Sequence, residues 1–85
     1  MNRVLYFTSP TCRPCRGFGP VLLGELAERG VEPEKIDVST PAGLEKADSY
    51  DVSAVPVVVI ERDGEEVSRF GALLGDSLRD ALSAL

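Results

Sequence analysis

Four consecutive branched apolar residues, Val57-Val58-Val59-Ile60, constrain this fold more than any other feature of the chain. Side chains alternate across a strand, so this run is apolar on both faces and needs cover on both. It lies inside a predicted strand from Val55 to Glu61. In 85 residues, one strand covered on both sides leaves material for one domain, 1–85. With 44% apolar and 27% charged residues the composition is globular, not disordered. No stretch approaches the ~20 apolar residues needed to span a bilayer. The opening Met1-Asn2-Arg3-Val4-Leu5-Tyr6 turns polar by Thr8 and lacks a secretory leader's pattern. A cytoplasmic monomer is the expectation, with no membrane partner.

The remaining elements arrange themselves around that strand. Arg3 to Thr8 is short, β-branched and aromatic, and reads as a buried strand. Ser9-Pro10-Thr11 breaks it. From Arg13 to Arg29 the pattern is helical, with Phe18, Val21, Leu22, Leu23 and Leu26 as the apolar stripe. Pro14 suits the first turn, Pro20 should kink the helix, and Gly30 should stop it. Glu34 to Val38 is a second strand. Ser39-Thr40-Pro41 signals a helix start, and Leu44, Ala47 and Tyr50 give that helix a thin stripe. Asp63-Gly64 is a hairpin turn, returning as a strand from Glu65 to Phe70 in which Val67 marks one face. Leu74, Leu78, Ala81, Leu82 and Leu85 line a last helix. The order β-α-β-α-β-β-α predicts an α/β fold: a mixed four-stranded sheet with helices on both faces, its first two strands parallel.

What the chain lacks removes whole classes of chemistry. It has no histidine, which excludes Ser-His-Asp and Cys-His catalysis and histidine-ligated metals. Its net charge of −5 argues against nucleic acid as a partner. The two cysteines, Cys12 and Cys15, stand too close together to staple the fold. A zinc site would need carboxylates or a second chain to complete it. No metal and no cofactor is expected.

The pair does, however, have a chemistry of its own. Cys12 falls at a helix amino terminus, where unpaired backbone donors and the macrodipole favour a thiolate. Cys15 lies one turn inward and can attack a mixed disulfide formed at Cys12. Arg13 and Arg16 add positive charge, and Pro14 stiffens the ring.

Cys12-Arg13-Pro14-Cys15 resembles the active site of the thioredoxin family, and separate features carry the likeness along the chain. Pro20 matches the family's helix proline. Lys35-Ile36-Asp37-Val38 and Tyr50-Asp51-Val52-Ser53-Ala54-Val55-Pro56 are similar to its second strand and cis-proline loop. Asp63-Gly64 and Phe70-Gly71-Ala72 are similar to its hairpin turn and the glycine after its last strand. The resemblance implies a thioredoxin-like fold and a protein-disulfide reductase. Cys12 would be the nucleophile and Cys15 the resolving thiol. Val55-Pro56 would be a cis peptide against the disulfide, with the Val55 backbone pairing to an extended substrate. Gly71 and Ala72 would complete the substrate groove, bordered by Thr11, where many members carry tryptophan. Clients would be protein disulfides, ribonucleotide reductase among them by analogy. Thioredoxin reductase or glutathione would be the reductant.

Three departures qualify the likeness. The family's extra amino-terminal strand and helix are missing, a length usual for glutaredoxins. The acidic residue that the family places six before its first cysteine is Tyr6 here. The residue after the proline, commonly threonine, is Val57. A glutathione-dependent, glutaredoxin-like reductase is therefore the alternative, although only one glycine opens Gly71-Ala72-Leu73-Leu74-Gly75-Asp76. A non-catalytic thioredoxin-like binding subunit is the reading from a different class.

Overall fold

The computed structural model describes residues 1–85. Its elements are β1 (Asn2–Thr8), α1 (Arg13–Glu28), β2 (Glu34–Asp37), α2 (Pro41–Ser49), β3 (Val57–Arg62), β4 (Glu65–Phe70) and α3 (Gly75–Leu82). The four strands form one sheet in the order β2-β1-β3-β4. β1 runs parallel to β2, and β1 and β4 run antiparallel to β3. This is the predicted mixed sheet, with the element order and strand directions that the resemblance implies.

Alternation along β1 and β3 divides the core in two. Val4, Tyr6, Val58 and Ile60 face one side, where Phe18, Leu22 and Leu26 of α1 and Leu78 and Leu82 of α3 cover them. Leu5, Phe7 and Val59 face the other, with Ile36, Ala47 and Val52. The Tyr6 and Phe18 rings meet edge to face at 6.0 Å. Each fully buried side chain of this kind contributes ~1.5–3 kcal/mol.

Several expected positions move, each for a local reason. The third strand starts at Val57, not Val55, because Pro56 has no amide hydrogen to give a ladder. Val21 and Leu23 are exposed: each stands about 100° around α1 from Leu22, off the Phe18–Leu22–Leu26 stripe. Leu44 is exposed for the same reason, since Gly43 and Ala47 make the buried face of α2. Leu74 precedes α3 as its N-cap residue and is exposed. Val67 does not mark a buried face. Ile60 pairs with Ser68 and Glu61 with Glu66, so Val67 is the extra residue of a bulge and faces out. Pro20 lies inside a helix that continues through it to Glu28. At the hairpin, Asp63 (φ 54°) and Gly64 (φ 87°) are both left-handed, the type I′ geometry that matches strand twist.

Candidate active site

β1 delivers the chain to a tight corner. The Cys12 amide donates to the Ser9 carbonyl at 3.2 Å, and the Thr11 amide to Ser9 Oγ at 3.3 Å. Cys12 then becomes the N-cap of α1, its backbone extended at φ −81°, ψ 110°. Its sulfur takes the place a hydroxyl usually takes there: the Cys15 amide donates to Cys12 Sγ at 3.2 Å. Pro14 occupies the first turn, where no donor is lost, and no acidic residue stands in that turn. The sulfur therefore sits where the backbone donors and the dipole favour negative charge.

Cys12 and Cys15 are joined in a disulfide, with Cα atoms 5.2 Å apart. The two sulfurs differ in access: Cys12 is partly exposed, whereas Cys15 is only 6% exposed. A reagent from solvent reaches Cys12 first. Arg13, Pro14 and Arg16 are exposed around the pair. Neither arginine forms an ion pair, so their charge is free to act on the site.

The loop before β3 closes on the cysteines. The Val55–Pro56 peptide is cis, and the Val55 carbonyl oxygen lies 3.6 Å from Cys12 Sγ. Gly71 lies against the Pro56 carbonyl; a Cβ there would stand 3.6 Å from that oxygen, an ordinary contact. Small size at Gly71 is thus not demanded by space within the chain. Cys12, Val55, Pro56 and Gly71 thus follow one another in space; Pro56 is buried and Cys12 and Val55 half-buried, with Gly71 and Ala72 exposed on one side and Thr11 exposed next to Cys12.

Behind Cys15 the structure adds a feature that the reading of the sequence missed. A cleft of about 340 Å³ is lined by Tyr6, Thr8, Cys15, Arg16, Gly19 and Lys35 among others. Lys35 arrives there because parallel pairing sets it directly beside Tyr6. Strand alternation assigns each residue a face, but the pairing that makes them neighbours is tertiary. The strongly coupled charges lie elsewhere, at the start of β1. Glu34 accepts from Lys46 at 2.7 Å and from Arg3 at 2.6 Å, and these bonds hold its carboxyl below the usual range. Burial, and then its hydrogen bond to Glu61 at 3.0 Å, push the Tyr50 phenol up.

No helix of the structure is long and apolar enough to cross a membrane. No protein-family model matches the chain. Individual relatives do. A thioredoxin of Mycolicibacterium smegmatis is 32% identical over 83 residues, covering 93% of this chain and 74% of that protein. A thioredoxin H-type of Picea mariana is 32% identical over 79 residues, covering 93% of this chain; the match spans only 62% of that protein's length. The crystal structure of Fasciola hepatica thioredoxin superposes with a TM-score of 0.77 at 35% identity, covering 98% of this chain and 79% of that one. A helix-capping cysteine pair on this sheet, in a sequence with such relatives, leaves one assignment: the chain belongs to the thioredoxin family.

Proposed function

We propose that the chain is a thiol–disulfide oxidoreductase that reduces protein disulfides with the Cys12–Cys15 dithiol. The observation that carries this reading is the asymmetry of the pair. Cys12 Sγ is the more accessible sulfur and accepts the Cys15 amide at the start of α1, while Cys15 is buried behind it. In the reduced protein the Cys12 thiolate attacks a client disulfide. A Cys12–client bond forms, and the first client thiolate leaves. Cys15, as thiolate, then attacks Cys12 Sγ. The intramolecular disulfide closes, and the second client thiolate leaves with the electron pair. Two electrons pass from the dithiol to the client, and a reductant of the thioredoxin reductase or glutathione type restores the thiols.

The nearness of Val55 to Cys12 and of Gly71 to Pro56 supports a docking role for an extended client segment. Arg13 and Arg16 act as tuning charges, and Pro14 holds the turn. Thr11 and Ala72 border the groove. Such a reductant works where thiols are kept reduced, as in the cytoplasm. Insulin reduction tests the activity. Cys12→Ser is expected to abolish turnover, and Cys15→Ser to trap a mixed disulfide visible by mass spectrometry. Unchanged turnover in Cys12→Ser would overturn the reading. Partner binding that survives loss of both cysteines, without turnover, would make the chain a binding subunit. Redox titration with NADPH plus thioredoxin reductase, and separately with glutathione, identifies the reductant.

A further inference from the structure

Release of the client needs Cys15 to lose a proton, and the residues around it supply no base. The cleft beside Cys15 is lined by a phenol, hydroxyls, Arg16 and Lys35, with no carboxylate among its walls and no histidine anywhere in the chain. Asp37 lines a smaller adjoining cavity together with Lys35, whose charge acts on it without forming an ion pair, and its carboxylate is engaged by the Ser39 amide at 2.9 Å and hydroxyl at 2.6 Å. The cleft itself is built to receive negative charge. Of nine cationic side chains, five pair with carboxylates: Arg3, Arg29, Lys46, Arg69 and Arg79. Of the remaining four, Arg16 and Lys35 line the cleft with Cys15 and Arg13 follows Cys12 in the chain, in a molecule whose net charge is −5. Tyr6 gives a second and independent sign. Its side chain is 2% exposed, yet its hydroxyl has no protein hydrogen-bond partner and is not sealed off; it opens into the cleft. That hydroxyl lies over Gly19, one turn beyond Cys15, where a Cβ would come within 3.0 Å of it.

We propose that this cleft binds a small oxyanion, a carboxylate or phosphate, which takes the proton of Cys15 when the mixed disulfide resolves. The proposal rests on the dithiol exchange proposed above. Lys35 and Arg16 pair with the anion's charge, and the Tyr6 hydroxyl donates to one oxygen, leaving another free to accept from the Cys15 thiol. The Cys15 thiolate attacks Cys12 Sγ, the Cys12–client bond breaks, and the departing client thiolate recovers the proton from the protonated anion. No further oxidant or reductant enters. Tyr6, Arg16 and Lys35 are here binding and positioning residues, and the base is borrowed from solution.

Stopped-flow reaction of the reduced protein with 2,2′-dithiodipyridine separates the steps, because this disulfide is uncharged and each displaced thiol becomes a chromophore. The first phase reports attack by Cys12, and the second reports resolution by Cys15. At fixed pH and ionic strength, chloride is exchanged for acetate in one series and for phosphate in another. The ratio of second-phase to first-phase rate should rise about tenfold to a plateau, less than a permanently positioned base supplies. A response to one anion alone supports the proposal and identifies the oxyanion. Lys35→Gln, at an exposed site, and Tyr6→Phe should each weaken that response and move the plateau to higher concentration. A ratio indifferent to both anions would overturn the proposal. So would a linear dependence that Lys35→Gln leaves untouched, or loss of the second phase in Asp37→Asn. Absence of the first phase would instead overturn the oxidoreductase reading.

Discussion

At the scale of single residues, the decisive atom is Cys12 Sγ, and its surroundings are short-range. It takes the Cys15 amide directly, and Arg13 follows it in sequence without a carboxylate partner. A cation there stabilises the thiolate, which exists only in the reduced form. Arg13→Gly should therefore slow alkylation of reduced Cys12 by iodoacetamide at neutral pH and make the couple more reducing. The exposure of Arg13 limits the change to less than the ~30 mV that equals ~1.4 kcal/mol for a two-electron couple. Equilibration against glutathione measures it, and an unchanged midpoint would exclude a tuning role for Arg13. The cysteines and arginines of this site were legible in the sequence because they are neighbours along the chain. Lys35 was not, because it comes to share a cleft with Cys15 only through the pairing of β1 with β2.

At the scale of elements, α2 is held to the end of β2 by contact of backbone with backbone. Thr40 Oγ1 accepts from the Gly43 amide at 3.0 Å and donates to the Asp37 carbonyl at 2.9 Å. A Cβ on Gly43 would stand 1.8 Å from that same carbonyl oxygen, which no side-chain motion can relieve. Gly43→Ala should cost about 3 kcal/mol in urea unfolding, at the upper end for overpacking. Gly24, on the exposed side of α1, has nothing within 4 Å of its would-be Cβ. Gly24→Ala should gain ~0.5–1 kcal/mol by the same measurement. Both are glycines within a helix, and only what faces each of them across the fold separates them. The elements themselves were legible because caps and breakers are local signals: Thr40-Pro41, Asp63-Gly64 and the Ser9-Pro10 break all stand where the structure changes direction. The exposed Val21, Leu23, Leu44 and Val67 were misread because apolar character alone does not say which flank of a stripe is covered.

At the scale of the whole molecule, stability and pH are linked through a few carboxylates. Glu34 is held down by Lys46 and Arg3, Glu66 by Arg69, and Asp37 by the hydroxyl and then the amide of Ser39. A carboxyl whose folded value lies below its unfolded one stabilises the fold above about pH 4. That contribution is lost as the pH falls through the folded value. The melting temperature of the oxidised protein should thus hold steady from about pH 5.5 to 7, where no histidine titrates, and fall below about pH 4.5. Lys46→Ala should lower the neutral plateau and make the acid limb shallower. A sloping transition between pH 5.5 and 7 would contradict this account. By itself the sequence determined the element order, the two-sided burial of β3 and the reactive pair, because alternation, capping and i, i+3 spacing act between near neighbours. The family resemblance placed Val55-Pro56 against the disulfide and Gly71 beside it, and the structure supplies those contacts; only the tertiary structure decided that Tyr6 and Lys35 share a cleft with Cys15. Those contacts join residues far apart in the chain, and their positions follow from which strands pair and in what register.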